Sequence, residues 1–163
     1  MSRLLAAAVA VALAAAVPWI DNASRRPKPR DPRAPGPGTG KGVVALTADR
    51  AGHFTVRAGM GEGCIDLMVD TGATTVTLTH EDARQLGVRP MPDDYTVPVA
   101  TANGLARAAA VRIDELRVGT IRLRDVRAVV VPAGALSRSL LGMSFIGRLT
   151  RFEMRGRRLV LEG

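Results

Sequence analysis

The sequence predicts an all-β domain carrying one or two short helices, and three observations lead there. From Val43 onward, short apolar runs recur between turn signals. Several runs alternate apolar with charged residues, as in VRIDELRVGTIRLRDVRAVVV, the period of a strand with one face in a core and the other in water. Asn103-Gly104 separates two such runs, a strong short-range signal for a hairpin. Hydrophobic residues make up 47% of the chain and aromatic residues only 3%. The core must therefore be built mostly from Val, Leu, Ile and Ala.

The elements are expected in this order. Residues 43–47 (VVALT) form a first strand, and residues 53–60 a second in which Phe54, Val56 and Ala58 share a face. Gly61-Glu62-Gly63 turns the chain into a third strand, CIDLMV, which ends at Asp70; TTVTL follows as a fourth. Thr79 is placed to cap a short helix over residues 81–86 that Gly87 closes. DYTVPVA and LARAAAVRIDEL flank Thr101, Ala102, Asn103 and Gly104 as the arms of a hairpin. Further strands are expected up to Pro132, with turns at Gly119-Thr120 and at Arg124-Asp125. SLLGMSFIGRL predicts a strand end, a glycine turn and a short helix. RFEMRGRRLVLE closes as a hairpin through Gly156.

Ahead of this domain, assigned to residues 43–163, the texture differs. Residues 1–20 hold Arg3 and an apolar run from Leu4 to Val17, short for a membrane span and typical of an export signal. Ala14-Ala15-Ala16 offers a cleavage site, whereas Trp19 suits an uncleaved anchor at a membrane interface. Residues 21–42 are rich in Pro, Gly and Arg without apolar periodicity, the composition of a disordered linker. The expected location is the periplasm or the periplasmic face of a bacterial inner membrane, with membrane association through the first segment.

The formal net charge is +8. Much of the arginine alternates with apolar residues on strands, and with one Trp, one Tyr and three Phe the chain lacks the stacking residues of a single-strand nucleic-acid binder. No nucleic-acid partner is expected, and an arginine-rich, lysine-poor composition also follows from genomic base composition. Cys64 is the only cysteine, so no internal disulfide can form. His53 and His80 stand apart, and the His80-Glu81 start of an H-E-x-x-H pattern meets Arg84 where the second His would be. No metal site and no cofactor is expected. Neither a nucleophile elbow nor a phosphate-binding Gly-Lys-Ser/Thr loop occurs.

What remains is Asp70-Thr71-Gly72 within LMVDTGATTVTL. A carboxylate between two apolar runs must be hydrogen-bonded, paired or used, since burying a lone charge is costly. Three stretches, VDTGATTVTLTHEDARQLGV, TANG and LLGMSFIGRL, together with the closing RFE…LVLEG, make the chain resemble the retropepsin-like aspartic proteases, in particular the bacterial single-domain, membrane-associated group. The resemblance covers most of residues 52–163. It implies a single-lobe acid-protease β-barrel and a homodimeric endopeptidase acting on polypeptide. Asp70 would be catalytic, one from each chain. Two carboxylates about 3 Å apart share one proton, one acting as base on a water while the protonated one bonds the scissile carbonyl. A single D-T-G per chain cannot supply both. Carried over, Thr71 would grip the partner loop and Gly72 would donate its N–H to the carboxylates. Residues Thr101, Ala102, Asn103 and Gly104 would form the flap tip, and Leu140, Leu141 and Gly142 the element threaded by the active-site loop. Ala73 stands where related enzymes carry a serine hydroxyl that favours ionisation. Its loss predicts activity extending toward weakly acid or neutral pH. The flap lacks the tyrosine of the two-lobed enzymes, and Tyr95 lies nearby in sequence without an evident place. The alternative is a peptide-binding or assembly module on the same fold that does not cut.

Overall fold

The arms of the first hairpin show how the pattern becomes structure. The structure, a computed structural model, describes residues 42–101 and 104–163. The expected signal or anchor and nearly all of the linker lie outside the described residues. In chain order the elements are β1 (Val43–Thr47), β2 (Thr55–Met60), β3 (Gly63–Val69), β4 (Val76–Leu78), α1 (His80–Gln85), a 3-10 turn (Pro92–Asp94), β5 (Val97–Thr101), β6 (Gly104–Val118), β7 (Ile121–Val130), β8 (Leu140–Leu141), α2 (Met143–Ile146), β9 (Arg151–Arg155) and β10 (Arg158–Glu162). This is the expected all-β architecture with two short helices. β2 and β3 pair antiparallel from Thr55 opposite Met68 to Met60 opposite Gly63. Val56, Ala58, Ile65 and Leu67 from these arms all point into the core.

Seven strands form one sheet in the order β2-β3-β8-β4-β7-β6-β5, and an added β2–β6 pairing closes six of them into a ring. Closure gives those six strands partners around the ring and leaves β5 as the sheet's edge. The remaining strands make a three-stranded sheet with β10 between β1 and β9. Leu159 and Leu161 of β10 are buried in the main core with Ile121, Leu123 and Phe145. A second apolar cluster gathers Ala73, Val97, Val99, Ala108, Val129, Val131 and Leu140. It joins the loop after β3 to the base of the β5–β6 hairpin.

α1 starts where its cap predicts. Thr79 Oγ1 accepts from the Asp82 N–H at 3.1 Å, and Gly87, at φ +76°, stops the helix in the left-handed region. The Asp82 carboxylate does not return to the cap itself. A fully buried serine, Ser139, stands between them. Its hydroxyl accepts from the Thr79 N–H at 2.9 Å and donates to Asp82 Oδ2. The helix start is thereby tied to the residue preceding β8.

One sequence expectation is corrected. No turn forms at Arg124-Asp125: β7 continues through it, with Ile113 opposite Val126 and Glu115 opposite Arg124 in the same register. Instead Asp125 takes φ +58°, a conformation Asp tolerates better than most residues. There the side-chain alternation switches. Ile121 and Leu123 face the core on one side of the switch, Val126 and Ala128 on the other. On β6 the same happens between Ile113 and Leu116, both buried. The Asp125 carboxylate, turned outward, meets Arg112 at 2.6 Å. At the expected flap hairpin β5 and β6 pair antiparallel, with Gly104 already part of β6 and opposite Thr101.

Candidate active site

The chain around Asp70 is held by β8. Met68 and Val69 of β3 run parallel to Leu140 and Leu141, while Thr77 of β4 pairs with Leu140 from the other side. The two strands flanking D-T-G therefore straddle β8, and the loop between them must pass over its end. The Asp70 N–H donates to the Leu141 carbonyl at 3.1 Å. The Met143 N–H donates to the Ala73 carbonyl at 2.8 Å. Gly142 lies between these two bonds. A methyl group there would come within 2.1 Å of the Thr75 carbonyl oxygen and 2.7 Å of that of Ala73, so the loop closes over a residue that has to lack a side chain.

Asp70 is half-buried, and Thr71 and Gly72 are exposed. The Gly72 N–H donates to Asp70 Oδ1 at 2.8 Å, and the Ala73 N–H to the Asp70 carbonyl at 3.3 Å. This turn fixes Oδ1 of the carboxylate against the Gly72 N–H, beside the exposed Thr71-Gly72 tip. The Ala73 methyl is fully buried and belongs to the second apolar cluster with Val129 and Leu140.

Sequence reasoning missed a brace behind the loop. Ser144, the second residue of α2, is 7% exposed. Its hydroxyl accepts from the Val76 N–H at 2.9 Å and donates to the Arg127 carbonyl at 2.7 Å. One side chain thus links α2, β4 and β7 just past the D-T-G loop. Ser144→Ala is expected to cost about 2 kcal/mol, because it leaves a buried N–H unpaired. Chemical denaturation read by circular dichroism would measure it, and a change below about 0.5 kcal/mol would show that the brace is dispensable.

The structure does not bring every predicted site residue together. Thr101 and Gly104 face each other at the hairpin tip, with Thr101 Oγ1 donating to the Gly104 carbonyl at 2.9 Å; Ala102 and Asn103 lie outside the described residues. Leu105, next along β6, is 87% exposed. Tyr95 is not part of this hairpin. It packs half-buried against the main core, with its hydroxyl 3.4 Å from His80 Nδ1 of α1, and burial raises its pKa above the ordinary phenol range. His53 lies 3.7 Å from Asp49, far along the chain from His80. A groove of about 570 Å³ does not belong to the Asp70 loop. Its lining includes Arg57, Cys64, Asp66, Gln85 and Arg138, with Arg57 Nη2 2.8 Å from Cys64 Sγ.

A half-buried aspartate on a Thr-Gly turn, threaded over a Leu-Leu-Gly strand end inside a closed barrel, defines an aspartic-protease lobe. The family model described as "gag-polyprotein putative aspartyl protease" matches residues 57–148, a span holding both Asp70 and Leu140 to Gly142. The chain belongs to this family of retropepsin-like aspartic proteases. It is similar to the crystal structure of a retropepsin-like aspartic protease from Rickettsia conorii, with a TM-score of 0.68, 32% identity and coverage of 79% of this chain and 96% of that one. Among curated proteins it is 41% identical over 116 residues to an uncharacterized protein from the cobV 5' region of a Sinorhizobium species, covering 71% of this chain and 50% of the relative. An uncharacterized protein of Rickettsia prowazekii (strain Madrid E) is 36% identical over 115 residues, covering 71% of this chain and 48% of the relative. The chain spans about half the length of these curated relatives.

Proposed function

We propose that the chain is an aspartic endopeptidase whose catalytic pair is Asp70 from each of two protomers. The observation that carries this reading is a half-buried Asp70 beside an exposed Thr71-Gly72 tip, with Oδ1 bonded to the Gly72 N–H and the loop pinned over Gly142. One such carboxylate cannot both activate water and donate to a carbonyl. A twofold axis beside it supplies the second from the same residue. In the dimer the charged carboxylate takes a proton from water as the water attacks the peptide carbonyl, and the protonated one donates to the carbonyl oxygen. The exposed Thr71 faces the partner loop, Gly72 steadies the pair, and the hairpin tip at Thr101 and Gly104 closes over an extended polypeptide. The second apolar cluster couples that hairpin to the loop through Ala73.

The test mixes protomers. Equal amounts of wild type and Asp70→Asn chain, allowed to exchange, should halve the activity per wild-type protomer, because half of the wild-type chains then sit in mixed dimers. Specific activity on an unfolded protein should also fall on dilution. Activity that ignores both the mutant chain and dilution would overturn the shared pair.

Ala73 provides a separate expectation. Ala73→Ser places a donor beside the carboxylates and favours their charged form, so the acid limb of the pH–rate profile should move to lower pH. The buried hydroxyl costs about 1–3 kcal/mol unless it finds that acceptor. An unmoved profile would show that position 73 does not set the working pH.

A further inference from the structure

We infer that the outer face of the β6–β7 hairpin is a docking surface for an anionic phospholipid bilayer. The charge of the domain is divided along the chain. Residues 42–100 carry four arginines and eight carboxylates, whereas residues 101–163 carry twelve arginines and five carboxylates. A composition bias acting on the whole gene would not separate the signs in this way.

The register concentrates the excess. Arg112 lies directly opposite Arg127, and Arg117 directly opposite Arg122. Like charges placed opposite each other on one sheet face oppose folding. Asp125 meets Arg112 at 2.6 Å, and Glu115 is shared between Arg117 and Arg124 at 3.6 Å each. Arg148 extends the patch from the end of α2, its guanidinium 3.3 Å from the Asp125 carbonyl. Six arginines thus face three carboxylates, those of Asp114, Glu115 and Asp125. The core gains nothing from this arrangement, while an anionic partner would gain from every excess cation.

A second observation selects a bilayer. The hairpin turn at Gly119-Thr120 touches the start of the described domain. A Cβ on Gly42 would lie 2.0 Å from Thr120 Oγ1, and one on Gly119 would lie 2.7 Å from a Val44 methyl. The basic face therefore begins where residues 1–41 join the domain. Those residues comprise the apolar run Leu4 to Val17 and a stretch bearing Arg25, Arg26, Lys28, Arg30, Arg33 and Lys41. Apolar segment, basic stretch and basic strand face form a graded series, the combination that holds proteins to anionic lipid. Single-stranded nucleic acid is held by stacking aromatics, and this face has none; a duplex is set against the bilayer in the test below.

The chain of residues 1–163 is tested against vesicles of phosphatidylcholine alone and with about a third phosphatidylglycerol, at low and raised salt. Changing Arg112, Arg117, Arg122 and Arg127 together to Gln should weaken partition onto the anionic vesicles at least tenfold at low salt, and leave partition onto neutral vesicles unchanged. Changing Arg50, Arg84 and Arg89 to Gln, on the acidic half, should leave both unchanged. Asp114→Asn should strengthen anionic partition, a gain that misfolding cannot imitate. Equal loss on both vesicle types, equal loss in the Arg50/Arg84/Arg89 variant, or no gain with Asp114→Asn would overturn the inference. So would release of vesicle-bound protein by an equimolar DNA duplex.

Discussion

Asp70→Asn is expected to leave the fold intact and to lower cleavage of an unfolded protein at least about a thousandfold, a loss of some 4 kcal/mol of transition-state stabilisation. The amide oxygen still accepts from the Gly72 N–H, as Oδ1 does now at 2.8 Å. The loop bonds from Asp70 to Leu141 and from Met143 to Ala73 involve backbone only. The melting temperature should therefore stay within about a degree or two of wild type. What the substitution removes is the shared proton, since an Asn–Asn pair offers neither a base for water nor an acid for the carbonyl. Cleavage followed by mass spectrometry across pH 3–8, with a melting curve on the same preparation, reads both halves. A variant that cuts as well as wild type would leave Asp70 a structural turn residue.

Gly142→Ala is expected to destabilise the domain by about 3 kcal/mol or more, lowering its melting temperature by about 10 °C. The cause is not backbone strain, because φ at Gly142 is −96°, open to any residue. The cause is space. Backbone carbonyls of Thr75 and Ala73 occupy the position of the methyl, and backbone cannot swing aside as a long side chain could. To admit alanine the loop must lift, breaking its bonds to β8 and moving Asp70. Activity should be lost even where some folded protein survives. Thermal unfolding by circular dichroism decides the matter, and a melting temperature within about 2 °C of wild type would mean that the loop has room.

The fold was legible in residues whose signal is local. β1, β2, β3 and the β9–β10 hairpin announce themselves by alternation and a glycine turn, and Thr79 and Gly87 bound α1 from both ends. Asp70-Thr71-Gly72 and Leu140-Leu141-Gly142 stood out because each breaks an apolar run with residues that strands avoid. The braces were not legible. Ser139 and Ser144 are single hydroxyls whose partners Thr79 and Val76 lie about sixty residues or more away in sequence, and no spacing rule joins such pairs. The second apolar cluster was hidden for a related reason. Ala108 and Val129 are buried on the face opposite the main core, which becomes visible only once the sheet order is known. Asp125 misled because an outward Arg-Asp pair in a strand reads as a turn, whereas long register pairing kept β7 extended through it.

That switch at Asp125 has a consequence for how the longest hairpin finds its alignment during folding. In an ordinary hairpin, sliding one strand by two residues keeps every inward side chain inward, so the misaligned form competes with the native one. In β6 and β7 the inward set changes parity on both strands at the same level, between Ile113 and Leu116 and between Leu123 and Val126. A two-residue slip takes the two switches out of step and drives Arg or Asp toward the barrel interior. The switch therefore works as an alignment mark, penalising the misfolded hairpins that a uniform alternation would have tolerated.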